Sequence, residues 1–149
     1  AGVSAAATPS LAAQFAALTE VSTSIQAVTG NRSSVEIEQA ALKELSDSLR
    51  GNLLLPGNPG YDAARKVLNP GIDKFPALVI QPNGVTDIRK AVTFALDRDL
   101  LLAVKCGGHS YAGKSTCDGG MQIDLSTLRH ARVDVANRIA HVAGSSVFQ

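Results

Sequence analysis

Residues 77 to 105 carry the pattern that most constrains the fold, because a strand, a helix and a second strand follow one another directly. Ala77 to Gln81 is a short apolar run between two prolines, which is typical of a buried strand. Apolar residues then recur at the spacing of the core face of an amphipathic helix, namely Ile88, Ala91, Val92, Ala95 and Leu96. Leu100 to Lys105 follows as the second strand. This unit predicts two parallel, neighbouring strands joined by a right-handed crossover.

Further elements are predicted on both sides of this unit. Leu11 to Val28 is Ala-rich and predicts a helix that ends at Gly30-Asn31, and Thr86 is expected to cap the crossover helix. Ser33 and Glu36 have the spacing of a capping box, which predicts a helix from there to Gly51 with Val35, Leu42, Leu45 and Leu49 near one face. The other predicted elements are a strand at Leu53 to Leu55, two helical turns from Tyr61 to Leu68, a strand at Met121 to Leu125, and a hairpin of Arg132 to Val135 with Ile139 to Val142.

The length and order of these elements predict an α+β fold. A chain of 149 residues is long enough for one domain with a real core. We expect an N-terminal helical segment over residues 1–48 and a sheet-containing part over residues 49–149. Because no helix or cap follows the last strand, we expect the front part of a larger domain. A small complete α+β domain is the alternative.

Charge and cysteine content exclude several classes of partner. The formal net charge of +1 creates no field that would attract nucleic acid or an anionic membrane, and we expect neither partner. No apolar run approaches the roughly 20 residues that span a bilayer. Cys106 and Cys117 are too few for a disulfide framework, and we expect unpaired thiols, with a local bridge across the glycine-rich loop as the alternative.

The N-terminus bears on the expected location of the protein. The chain starts at Ala1 without Met and shows no signal-peptide pattern, so we expect that an export signal has been removed. This predicts a secreted or exported protein, with a cytoplasmic location as the alternative. Asn31-Arg32-Ser33 is an N-glycosylation sequon, a triplet that also occurs by chance.

A glycine-rich stretch at residues 105 to 115 supports two incompatible functions. Gly108 to Ser115 matches the phosphate-loop pattern G-x-x-x-x-G-K-[ST], which would make the chain a nucleotide triphosphatase using Lys114 and Ser115. A phosphate loop needs a helix that starts at its Ser or Thr. Here Asp118-Gly119-Gly120 follows, which predicts a turn, so we disfavour this function.

The same stretch has the composition of a loop that wraps around a ligand between two strands. Gly107 and Gly108 have no Cβ, so the backbone can approach a ligand closely. Lys105, Ser110 and the loop amides offer donors to an anion such as a pyrophosphate. His109 then projects as a ligand, base or nucleophile, the alternative being a turn histidine that only bonds the backbone.

At these positions the sequence resembles the berberine-bridge-enzyme-like flavin oxidases of the vanillyl-alcohol-oxidase superfamily. The resemblance covers Leu49 to Gln149 and follows the family's order and spacing at Tyr61 to Arg65, Asn69, Pro76 to Pro82, Asp87-Ile88, Ala95, Lys105 to Ser110, Gly113, Gly119-Gly120, Ile123 to Ser126 and Ala143-Gly144. It implies a PCMH-type FAD-binding domain over residues 49–149. Two positions depart from the pattern, since the family often has Arg in place of Lys105 and Ser or Gly in place of Cys106.

The resemblance implies the cofactor, the site and the reaction. FAD would be bound by Lys105, Cys106, Gly107, Gly108, His109, Ser110, Tyr111 and Gly113. His109 would bond covalently to the 8α-methyl of the isoalloxazine, which raises its reduction potential. Substrate hydride would pass to the flavin and then to O₂.

The implied enzyme needs more than these residues. No catalytic residue falls in this chain, so the rest of the FAD domain and a substrate domain, which would receive a small-molecule substrate, are the expected partners. Tyr61 and Arg65 are expected to be structural. A non-catalytic flavin-binding fragment is the remaining alternative.

Overall fold

The computed structural model describes residues 24 to 146, which contain eight strands and three helices. The strands are β1 (Ile25–Val28), β2 (Ser34–Ile37), β3 (Asn52–Leu54), β4 (Leu78–Gln81), β5 (Leu102–Lys105), β6 (Met121–Asp124), β7 (Ala131–Asp134) and β8 (Ile139–Val142). The helices are α1 (Gln39–Ser48), α2 (Tyr61–Arg65) and α3 (Val85–Leu96). The expected α+β fold is confirmed, as are the predicted strands around Leu53, Ala77, Leu100 and Met121 and the late hairpin β7–β8.

A four-stranded sheet in the order β3-β4-β6-β5 forms the centre of the fold. Strands β4, β5 and β6 are parallel, and β3 pairs antiparallel with β4. The prediction that β4 and β5 are neighbours is wrong, because β6 lies between them and Met121 pairs with both Leu78 and Leu102. The burial explains this order: all four residues of β6 are buried, whereas Leu102 and Val104 of β5 are exposed, which suits an edge strand.

The two faces of the sheet are covered by different helices. Helices α1 and α3 pack on one face, where Leu42, Leu45 and Ala91 join Leu78, Ile80, Met121 and Ile123 in one core. Helix α2 covers the other face, where Tyr61 and Ala64 contact Val79. The alternation of Leu78, Val79 and Ile80 therefore divides β4 between two cores, since successive strand residues point to opposite faces.

The N-terminal part differs most from expectation. Ile25–Val28, predicted as the end of a helix, is a strand, and residues 11–23 of that helix lie outside the described part of the chain. Ser34–Ile37 is the antiparallel partner strand, so the predicted capping box does not form and Glu38 is the N-cap of α1. Two further backbone bonds tie β1 to the sheet, Val28 N to Gly119 O at 2.8 Å and Leu101 N to Val28 O at 2.8 Å. Pairing with distant residues thus overrides the local helix pattern.

Helix α2 is held by the side chains that we expected to be structural. The Tyr61 hydroxyl donates to Pro76 O at 2.5 Å. The buried Arg65 guanidinium donates to Asp62 at 2.7 Å and to Asp73, and it stacks 3.9 Å from the centroid of Phe75. The helix is shorter than predicted and ends at Arg65.

A buried carboxylate, rather than Thr86, organises the start of α3. Gly84 is the N-cap and makes no side-chain bond, so the predicted capping role of Thr86 is wrong. Asp87 instead accepts backbone N–H bonds from Asn83 and Gly51 at 2.9 Å and from Arg50 at 3.2 Å. Burial alone would raise the pKa of Asp87, but these three N–H groups hold its pKa below the ordinary value of 3.8. Asp87 therefore joins α3 to the start of β3.

A row of buried polar side chains crosses the α2 face of the sheet. Asp124 accepts from the Gln81 amide at 3.0 Å and faces the Lys105 ammonium at 3.4 Å. Lys105 also donates to Ala64 O at the end of α2, as does the Gln122 amide at 2.8 Å. The side chains of Lys105 and Asp124 are 8% and 1% exposed, so this ion pair is part of the interior.

No described helix is long and apolar enough to cross a bilayer.

Replacing Asp87 tests its role as a backbone acceptor. We expect Asp87→Asn to lower the free energy of unfolding at pH 7 by about 2 kcal/mol, because the new amide group faces N–H donors. The folded pKa of Asp87 is lowered, so its stabilisation is present above about pH 4 and is lost as pH falls through the folded pKa. Urea unfolding of the variant and the wild type should therefore converge in acid. Asp97→Asn at the exposed end of α3 is the control, and an equal loss there would contradict the prediction.

Breaking the buried ion pair should be costly. We expect Asp124→Asn to lower the free energy of unfolding by about 3 kcal/mol, since it leaves the Lys105 ammonium buried without a counter-charge. The double variant Lys105→Met with Asp124→Leu should lose less than Asp124→Asn. Asp47→Asn, which breaks the exposed pair of Asp47 with Lys43 at 2.9 Å, is the matched control and should change stability by less than about 0.5 kcal/mol. Similar losses in both single variants would refute an interior role for the Lys105 pair.

Candidate cofactor-binding site

The predicted cofactor loop lies at the carboxyl edge of the parallel strands. Strands β4, β5 and β6 end at Gln81, Lys105 and Asp124, and the loop starts directly after Lys105. In open sheets with parallel strands, ligands bind in the crevice outside this edge. The position of residues 106–113 therefore agrees with a binding role.

Glycines allow this loop to lie against the segment that follows α2. Gly108 has a φ of 68°, and a Cβ on it would be 3.3 Å from Val67 Cα. Its carbonyl accepts from Leu68 N at 3.1 Å. Gly113 has the same φ, and a Cβ there would be 2.7 Å from Ile72 Cγ2. At both positions a side chain would be strained by the positive φ and crowded by its neighbour.

Side chains of the same segment hold the far half of the loop. Asn69 donates from its amide to Tyr111 O at 3.0 Å, and Lys74 donates from Nζ to Gly113 O at 3.2 Å. Ser110 closes the turn, since its carbonyl accepts from Gly113 N at 3.0 Å and its hydroxyl accepts from Lys114 N at 3.1 Å. The anchoring roles of Asn69 and Lys74 were not predicted from the sequence. The Asn69-Pro70-Gly71 turn was a local sign of the role of Asn69, but no local pattern indicated the role of Lys74.

His109 is exposed at the start of this loop. Its imidazole lies over Gly107, where a Cβ would be only 2.9 Å from His109 Cε1. Neither ring nitrogen has a hydrogen-bond partner within residues 24–146, so the alternative of a histidine that bonds the turn is not formed here. A ring nitrogen of His109 is therefore open to a ligand.

The loop backbone supplies donors that the protein does not use. Within the described chain, the N–H groups of residues 107–110 have no protein acceptor. Successive free N–H groups around glycines form a concavity that binds anions. The loop thus fits a pyrophosphate such as that of FAD, because it combines free donors with glycines that permit close approach.

Lys105 takes a different place from the one expected. The prediction gave its side chain as a donor to a bound anion, but the ammonium lies beneath the loop on Ala64 O and Asp124. Lys105 ends β5, and the neighbouring strand β6 ends at Asp124. The lysine therefore pairs with that buried carboxylate rather than with a ligand of the loop. Lys105 therefore ties the end of β5, where the loop begins, to α2 and to β6.

The segment after β8 also reaches the loop. A Cβ on Gly144 would be 3.5 Å from Cys106 Sγ, and the Ser145 hydroxyl donates to Leu125 O.

Cys106 is half-buried and Cys117 is buried, and both are free thiols, as expected. Burial raises the pKa of the Cys117 thiol to about 11, which suits a packing role.

The phosphate-loop alternative lacks its helix. Residues 111–118 form turns, so Lys114 and Ser115 do not start a helix. Gly119 has a φ of 66°, and a Cβ on Gly120 would be 2.3 Å from Leu101 O, because the chain here enters β6 directly. Without a helix N-terminus, the loop cannot hold a triphosphate in the phosphate-loop manner.

Other candidate sites are separate from this loop. A surface groove of about 680 Å³ between α1 and α3 is lined by residues such as Glu44, Arg89 and Lys90 and by none of the loop residues. Among residues 24–146, no group of three or more His, Cys, Asp or Glu side chains is arranged to hold a metal ion.

Comparisons with known proteins agree with an FAD site. Residues 76–149 match the family described as FAD binding domain. The (R)-6-hydroxynicotine oxidase of Paenarthrobacter nicotinovorans is 29% identical over 100 residues, which cover 67% of this chain and 22% of that protein. An FAD-linked oxidoreductase of Penicillium ochrochloron is 34% identical over 91 residues, which cover 60% of this chain and 20% of that protein.

Solved structures show the same fold. The 6-hydroxy-D-nicotine oxidase from Arthrobacter nicotinovorans superposes with a TM-score of 0.63 at 29% identity, over 67% of this chain and 22% of that one. The glucooligosaccharide oxidase from Acremonium strictum, whose FAD is described as 6-S-cysteinyl and 8α-N1-histidyl, gives 0.64 at 25% identity, over 70% and 22%. This chain spans about a fifth of the length of the curated relatives it matches. Residues 76–149 therefore carry a segment of the FAD binding domain family, and over that part the chain resembles FAD-linked oxidoreductases.

Proposed function

We propose that this chain is the FAD-binding part of an oxidase in which His109 is the covalent attachment point of the flavin. When bound, FAD supplies the redox chemistry, accepting hydride from a small-molecule substrate and passing the electrons to O₂. One observation carries the proposal: within residues 24–146, neither the exposed imidazole of His109 nor the N–H groups of residues 107–110 around it have a hydrogen-bond partner.

The residues of the loop divide the work of binding. The N–H groups of residues 107–110 donate to the cofactor's pyrophosphate, and Gly107 and Gly108 allow that backbone to come close. Asn69 and Lys74 hold the loop from one side, and Lys105, the residue before the loop, ties the end of β5 to Ala64 of α2. His109 is therefore presented from a loop that these contacts tie to the neighbouring segment.

We propose that the catalytic base and the substrate pocket belong to further protein, namely the rest of the FAD domain and a substrate domain. The hairpin β7–β8 supports this, because Val133, Val142 and Val135 are 66%, 53% and 81% exposed. In the register of the hairpin, Val133 pairs with Ala140 and Ala131 with Val142, so these apolar residues share one face. A two-stranded hairpin with an uncovered apolar face is marginally stable alone, and additional chain would cover it.

His109→Ala tests the covalent attachment. We expect acid precipitation to carry the yellow colour with the wild-type protein and to release it from the variant, because the variant lacks the nucleophilic imidazole. His130→Ala, a second exposed histidine, should behave as wild type. If wild-type flavin stays in the acid supernatant, His109 is not flavinylated, and if the purified protein holds no flavin, the chain is not the flavin-bearing part of an oxidase.

The triphosphatase alternative is tested in the same preparation. Lys114→Ala should leave flavin content unchanged, since its backbone N–H rather than its ammonium contacts Ser110. Loss of nucleotide binding in this variant would instead favour the phosphate-loop function.

Gly108→Ala tests the shape of the loop. We expect it to reduce flavin content several-fold and to lower the free energy of unfolding by about 1–2 kcal/mol, because an alanine is strained at a φ of 68°. The new Cβ would also press on Val67. Gly57→Ala is the matched control: its φ is 91° with no atom near the new Cβ, so it carries the backbone strain alone. Equal flavin content in both variants would contradict a role for the close contact with Val67.

A further inference from the structure

The turn between β1 and β2 presents a sequon that the redox function does not use. Asn31, Arg32 and Ser33 lie at the tip of this hairpin, and all three are exposed. The turn is closed by backbone bonds from Thr29 N to Ser33 O at 2.9 Å and from Arg32 N to Thr29 O at 3.0 Å. Arg32 has a φ of 70°, which turns the chain sharply and leaves the Asn31 side chain outside the sheet. The triplet therefore stands on a defined, accessible turn.

The Asn31 side chain is oriented by its carbonyl end. Its Oδ1 accepts from Ser33 N at 3.1 Å and from the Thr29 hydroxyl at 2.6 Å. Because a backbone N–H can only donate, the bond from Ser33 N identifies the inward atom as oxygen. Among residues 24–146, no acceptor binds Asn31 Nδ2, and the Ser33 hydroxyl is also without a partner. The amide nitrogen and the hydroxyl of the sequon are thus both available.

We propose that Asn31 is the acceptor of an N-linked oligosaccharide. In the transfer, Asn31 Nδ2 forms a bond to C1 of the sugar, and the bond from C1 to the pyrophosphate of a lipid-linked oligosaccharide donor breaks. The amide loses one proton, and the lipid pyrophosphate is the leaving group. The reaction requires passage through a secretory compartment.

The position of the turn leaves the cofactor loop unobstructed. Hairpin β1–β2 is bonded to Leu101, just before β5, and to Gly119, just before β6. These are the amino ends of the parallel strands, whereas His109 follows the carboxyl end of β5. A glycan on Asn31 therefore projects from the edge of the sheet opposite to the proposed flavin site.

Translation of the protein into microsomes, behind a cleavable signal peptide, tests the acceptor directly and does not depend on later folding. We expect a glycosidase-sensitive increase in mass in the wild type and in Ser33→Thr, and none in Ser33→Ala. Asn31→Asp is the matched control, since it keeps the oxygen that Ser33 N and Thr29 bind but lacks the reactive nitrogen. Since Asn31 is in the one sequon of the sequence, peptide mapping should find aspartate at position 31 after glycosidase treatment.

The folded, secreted protein supplies a second readout. The glycosidase should remove the glycan under native conditions, because the turn is exposed, and flavin content should be the same before and after removal. A wild-type chain that enters microsomes without gaining mass would overturn the proposal, as would a glycan that persists in Asn31→Asp. The result is independent of whether the protein binds flavin.

Discussion

The insertion of β6 between β4 and β5 is the arrangement on which the rest of this structure depends. Its backbone bonds to strands on both sides, so Met121 and Ile123 complete the core under α1 and α3 while Gln122 and Asp124 face α2. Asp124 thereby meets the Lys105 ammonium at 3.4 Å, directly below the point where the cofactor loop begins. A central strand buried on both faces thus determines both the packing of the two layers and the foundation of the site.

The loop itself is shaped by what lies beside it. Val67 and Leu68 contact Gly108, and Asn69 and Lys74 bind carbonyls of the far half. These contacts use carbonyl groups of the loop as acceptors, whereas the N–H groups of residues 107–110 have no acceptor within residues 24–146. Free N–H donors are what an anionic group needs. The same contacts explain why both Gly108 and Gly113 have positive φ values, since the chain must turn while it lies against a second backbone. The glycines that the packing of the loop requires are therefore the same ones that the proposed binding of an anion requires.

The elements with strong local patterns were predictable. The amphipathic spacing of Ile88, Ala91 and Ala95 and the Pro-bounded run at Leu78 identified α3 and β4, and the absence of a helix after Ser115 followed from Gly119-Gly120. The errors share one physical cause, which is partner choice between distant segments. Val35 fitted a helix face in isolation but pairs with Ala27 in a strand. Thr86 was expected to cap α3. Instead, the carboxylate of Asp87 organises the start of this helix, because it accepts from the backbone N–H groups of Asn83, Arg50 and Gly51.

By itself the sequence determined the element types of the crossover unit and the chemical character of the glycine loop, because each depends on residue identity at short spacing. Its resemblance to FAD-linked oxidoreductases implied the cofactor. Tertiary structure decided the strand order, the burial of Lys105 and the free state of the His109 imidazole. Those properties depend on which distant groups compete for the same donors and acceptors. A lysine next to a glycine loop suggests a phosphate ligand. Here the lysine instead forms an ion pair with a buried aspartate on the neighbouring strand, because an unpaired carboxylate in the interior costs far more free energy than an exposed one.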